Sequence, residues 1–141
     1  ANGVAIDSVT LKDGAVVGAA LTDYVETDVA VTSGTTLAID LANGNTGSVT
    51  LAHNVTDIDF TNVPANGTSS FTLKATQDGT GSRTLAINKV TVNGGSEAVA
   101  LTQGNAGITL STAANAVDLV TFLFFDAGNP LVNALLDFKN S

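Results

Sequence analysis

The sequence predicts an all-β protein, an antiparallel β-sandwich of jelly-roll type, and three observations carry that expectation. Turn dipeptides recur along the chain: Asn2-Gly3, Asp13-Gly14, Asn43-Gly44, Asn66-Gly67, Asp78-Gly79 and Asn93-Gly94 all suit the positive φ of tight turns. Between them run short segments rich in Val, Ile, Thr and Phe, in which apolar and polar residues alternate. Only 13% of residues are charged while 44% are hydrophobic, with 14 glycines among 141 residues. That balance fits one domain with a sizeable core, and neither a disordered chain nor a helical bundle.

Taken in order, the alternation places strands at 4–11, 28–32, 35–42, 47–53, 57–62, 70–77, 82–92, 107–111 and 116–126. Residues 1–34 differ in kind, with two small strand-like pieces and the acidic stretch Asp23-Tyr24-Val25-Glu26-Thr27-Asp28. They read as an extended N-terminal arm or outer strands, set against a sandwich domain at 35–141, or equally as an ordinary part of one domain. Val49, Leu51 and Val55 share one parity and Ile58 and Phe60 the other, which requires a turn or bulge near Thr56-Asp57. Leu85 and Ile87 give way to Val90 and Val92 in the same manner, so Asn88-Lys89 should bend.

The stretch 69–85 reads as a hairpin. Phe71, Leu73 and Ala75 alternate with Thr72, Lys74 and Thr76. Glycine turn chemistry follows from Gln77 to Ser82, and alternation resumes through Arg83, Leu85 and Ile87. Val117 to Phe125 is apolar on both faces near its end. Such a strand sits centrally, or holds one face in the core and the other against another subunit. After it, Asn129-Pro130 could cap a short helix carrying Leu131, Val132, Leu135 and Leu136 at helical spacing, and a strand over 129–138 fits as well.

Composition narrows function. Five basic against 13 acidic residues, a net charge of −8, cannot neutralise a run of phosphates, so no nucleic-acid partner is expected. Lys12, Lys74, Arg83, Lys89 and Lys139 are scattered. No run approaches the roughly 18 apolar residues of a membrane span. Methionine is absent, so a start at Ala1 suggests loss of an initiator methionine or processing. Absence of cysteine leaves stability to packing or assembly.

Catalytic groups are sparse, and neither an enzyme activity nor a cofactor, metal or small-molecule substrate is expected. The single histidine, His53, ends a strand and reads as a rim residue. Asp57 and Asp59 lie on one face of a strand by alternation, but no Asp-rich loop of calcium spacing follows, so solvated carboxylates outweigh an ion site. Gly79-Thr80-Gly81-Ser82 lacks the Lys and helix of a phosphate loop. Arg83 sits at a core-parity position, where an arginine lays its stem along apolar surface and pairs with a carboxylate. Asp78 and Asp118 are the candidate partners, and a contact with another subunit is the alternative.

Five ordered segments carry a resemblance. They are 36–41 (Thr-Leu-Ala-Ile-Asp-Leu), 49–51 (Val-Thr-Leu), 54–64 (Asn-Val-Thr-Asp-Ile-Asp-Phe-Thr-Asn-Val-Pro), 70–84 (from Ser70-Phe71-Thr72 to Gly81-Ser82-Arg83-Thr84) and 110–122 (from Leu110-Ser111 to Thr121-Phe122). Their order resembles a β-rich structural domain of tailed-bacteriophage virion proteins, of the capsid-decoration and tail-fibre type. Ile6 to Gly14 is similar to the start of many phage fibre and particle-surface proteins. The family often has a Trp-Pro pair after the 82–84 stretch and Thr-Trp-Tyr-Gly near its end. This chain has Leu85-Ala86-Ile87-Asn88 and Pro130-Leu131-Val132-Asn133-Ala134 instead. Those aromatics are plausible sugar-stacking surfaces, and their loss counts against receptor binding there.

The resemblance implies a non-enzymatic virion protein. A capsid decoration (cement) protein on the outer capsid surface, bound to the major capsid protein and assembled as a homo-trimer, is the first expectation. A tail-fibre or tail-tip domain binding host-surface carbohydrate is the second. A trimer would be expected to use the apolar strand, with Leu119, Phe122, Phe124 and Phe125 as its interface residues.

Overall fold

A computed structural model describes residues 25–97 and 100–138. The expected strand at 4–11 and most of the expected N-terminal arm lie outside them. Among the described residues there are nine strands and no α-helix: β1 (Asp28–Ala30), β2 (Thr36–Asp40), β3 (Thr46–Leu51), β4 (Asp57–Thr61), β5 (Ser69–Gln77), β6 (Val90–Val92), β7 (Leu101–Thr102), β8 (Val117–Phe124) and β9 (Leu131–Phe138). The protein is all-β. Its six-stranded sheet runs β1-β3-β5-β8-β9-β7 and its three-stranded sheet β2-β4-β6.

The six-stranded sheet is mixed and the three-stranded sheet parallel, which corrects the expected antiparallel pairing. The chain passes from one sheet to the other and back, so that β1, β3 and β5 stack in parallel on one side and β2, β4 and β6 in parallel on the other. Parallel neighbours need a crossover, and within these two stacks each crossover includes a strand of the opposite sheet, whereas parallel β7 and β9 are joined through β8 of their own sheet. Among the described strands only β5–β8 and β8–β9 pair antiparallel. The parity switches near Thr56 and Asn88 are the corners of this coil. Thr56 and Asp57 both donate their backbone N–H to Thr35 O as the chain enters β4, and Lys89 N bonds Ala86 O as it enters β6.

The expected hairpin at 69–85 is half present. β5 forms, but the chain after its glycine turn is no strand, and Leu85 makes a single parallel bridge to Val55. The buried Gln77 side chain supplies the missing partner. Its Nε2 donates to Arg83 O at 2.9 Å and its Oε1 accepts from Arg83 N at 2.8 Å, as a neighbouring strand would. Gly81 brings this turn close to the segment before β8. At φ +74° a β-carbon there would lie 2.5 Å from Thr112 O, so only glycine fits. Residues 107–111, expected as a strand, are irregular. Residues 131–138 are strand, because Val132 and Ala134 turn inward while Leu131, Asn133 and Leu135 turn outward.

Inward side chains of both sheets form one core. Phe60 of β4 is its centre, with ring centroids 6.0 Å from Phe71, 5.0 Å from Phe122 and 5.1 Å from Phe124. Leu37, Ile39, Ile58 and Val90 from the small sheet meet Val49, Leu51, Leu73 and Val120 from the large one. β1 adds to the edge of the large sheet, and Val31 just beyond it reaches the core.

Candidate functional site

The residues singled out for chemistry are dispersed. His53 is exposed and lies 3.3 Å through Nδ1 from Ser33 Oγ, which in turn accepts from Ala52 N. The contact ties the strand end to the neighbouring loop. Asp57 and Asp59 share the outer face of the small sheet, and each keeps one buried carboxylate oxygen without a hydrogen-bond partner. Among the described residues no three potential metal ligands converge.

Arg83 meets one of its two candidate partners. Its Nε and Nη2 donate to Asp78 Oδ2 at 2.9 and 2.6 Å, while Asp78 Oδ1 accepts the backbone N–H groups of Thr80 and Gly81. The Arg83 hydrogen bond is the main reason that the Asp78 carboxyl is held below its ordinary value of 3.8. At the other end of the small sheet, Asn62 and then the Ala42 N–H lower Asp40 in the same sense.

Asp118 is engaged elsewhere. It is 1% exposed and points into the protein between two segments. Oδ2 accepts from Ser111 N at 2.7 Å, and Oδ1 accepts from Ser111 Oγ at 2.7 Å and Asp137 N at 2.8 Å. The register of β8 on β9 slips at this point, and Asp137 takes a positive φ of 64° so that its N–H reaches inward. Asp118 therefore pins β9 and the stretch before β8 together. Its expected role as a partner of Arg83 gives way to this one, because a lone inward carboxylate held largely by backbone donors has no linear signature.

The expected interface residues divide between the two faces of β8. Phe122 and Phe124 are 0% and 1% exposed and belong to the core, so their expected place at an interface is corrected. Leu119 is half-buried on the outer face, and Phe125, just past the strand, is exposed. Further outward residues lie on β9, whose sequence pattern fits a helix as well as a strand.

Register assembles the outer face. Leu123 stands opposite Leu131, Thr121 opposite Asn133, and Leu119 opposite Leu135. Leu101 of β7 extends the apolar row beside Leu131, and Phe138 closes the other end opposite Val117. Across β5 and β3 the same face changes to hydroxyls and one cation. Thr46, Thr72 and Thr121 align in one row and Ser48, Lys74 and Leu119 in the next. The Thr72 and Thr121 hydroxyls are 3.2 Å apart. Among the described residues, the exposed large hydrophobic side chains other than Val25 lie on β7, on β9 or at Phe125. A rigid sheet with one apolar half is suited to contact with another macromolecule. Compared with known proteins, the chain matches no family model, no curated protein and no solved structure.

Proposed function

We propose that this is a non-enzymatic structural protein of a bacteriophage particle, a decoration protein that binds the major capsid protein on the outer capsid surface and stabilises the shell. The observation that carries the proposal is the gathering of exposed leucine and phenylalanine on one end of the six-stranded sheet. Isolated apolar side chains are normal on a surface, whereas a set aligned by strand register is a contact surface. The ordered resemblance of five segments to phage virion domains supports the particle context. Repetition over a shell makes weak individual contacts sufficient, since each added contact raises avidity.

The test is addition of purified protein to particles that lack it. Restored resistance to heat or to chelators, with the protein bound at the capsid surface, is the expected result. Binding to host cells or to their surface carbohydrate, with none to capsids, would replace this proposal by a tail-fibre role.

A further inference from the structure

We propose that the outer face of β8–β9 docks a second copy of this chain about a two-fold axis. Three rows form the middle of the face, before the closing Val117–Phe138 row: Leu123 with Leu131, Thr121 with Asn133, and Leu119 with Leu135. The order is apolar, polar, apolar, and it reads the same in both directions. A two-fold axis through the middle row lays the first leucine pair of one copy on the last leucine pair of the other. It also sets each Asn133 near its counterpart. Carboxamides both donate and accept, so two of them pair with each other, and the threonine hydroxyls have the same freedom. Self-complementarity of this sort is what an isologous interface requires.

Charge selects the same occupant. The chain carries a net charge of −8, so two copies repel over most of their surfaces. None of the six residues is charged, and the inward Asp118 of the same strand is buried. At these six positions like molecules approach without opposing carboxylates, and the exposed Asp137 of β9 lies beyond Leu135. A strongly acidic or basic partner finds no charge to complement here, and an anionic lipid surface finds only Lys74 on the adjacent strand. The geometry favours a two-fold pair over the trimer implied by resemblance, because a three-fold contact joins two different patches.

The pair uses the six central residues and leaves Leu101, Phe125, Leu136 and Phe138 exposed for the capsid contact. Self-association is a property of the chain in the absence of capsids, so its failure is separable from failure of the particle role. Sedimentation of the full chain over a range of concentrations should show a monomer–dimer equilibrium. Leu135→Asp places a carboxylate on each side of the contact, and association should weaken at least about tenfold. Since Leu135 is 59% exposed, the fold should survive, which circular dichroism verifies.

A second measurement uses the absence of cysteine. Sheets packed face to face lie about 10 Å apart, so a short bis-maleimide should join Asn133→Cys chains into dimers. Thr50→Cys, at the hydroxyl side of the sheet, should stay uncoupled. A monomer at every concentration, a trimer, a dimer that Leu135→Asp leaves intact, or equal coupling of both cysteine variants would overturn the proposal.

Discussion

Asp118 shows how much one buried carboxylate organises. Its two oxygens accept three hydrogen bonds, from both polar groups of Ser111 and from the backbone of Asp137. Asp118→Asn keeps one oxygen but turns an amide N–H₂ toward another donor. Loss of a charged hydrogen bond in a buried place should lower stability by about 1.5–3 kcal/mol, read from the shift of a urea unfolding curve. The Arg83–Asp78 pair sits nearer to solvent and acts through pH. Folding depresses Asp78 and Asp40 below 3.8, so their contribution is fully present above that value and is lost as pH falls through the folded-state values. Below pH 3.8 the unfolding midpoint of the wild type should therefore fall more steeply than that of an Asp78→Asn, Asp40→Asn variant.

Among the elements, β5 and β8 were the most legible in the sequence. Phe71, Leu73 and Ala75 alternate cleanly with polar residues, and the apolar run around Phe122 was bounded by turn residues. Partner and direction were not legible, because alternation marks a face and is silent on the strand beside it. Glycine turns after β5 looked like hairpin connections, yet they serve a corner between sheets. The faces of β8 were obscured by Asp118, which shares its parity with Val120, Phe122 and Phe124 and is nonetheless inward. The contact face stayed hidden for a related reason: half of it belongs to β9, whose leucines fit a helix and a strand equally. Gln77 is a further residue that pattern could not assign. Gln77→Leu fills the same space but strands the N–H and C=O of Arg83, and should cost about 1–3 kcal/mol in thermal or urea unfolding.

At the scale of the whole molecule, parallel stacking separates the ladder from the lengths of the connections between its strands. The coil from Asp28 to its neighbour Thr46 is shorter than the coil from Thr46 to Thr72, yet both pairs lie in register. The added length sits in loops at the corners, where Gly67 has no atom within 4 Å of where a β-carbon would stand. Loop closure cost rises only slowly with length, by about 0.6 kcal/mol per doubling. A foreign peptide spliced in at Gly67 should leave the melting temperature close to that of the parent, which a calorimetric scan would measure. The corner between β4 and β5 would then serve as a presentation site, holding an unrelated epitope on a scaffold that folds without reference to it.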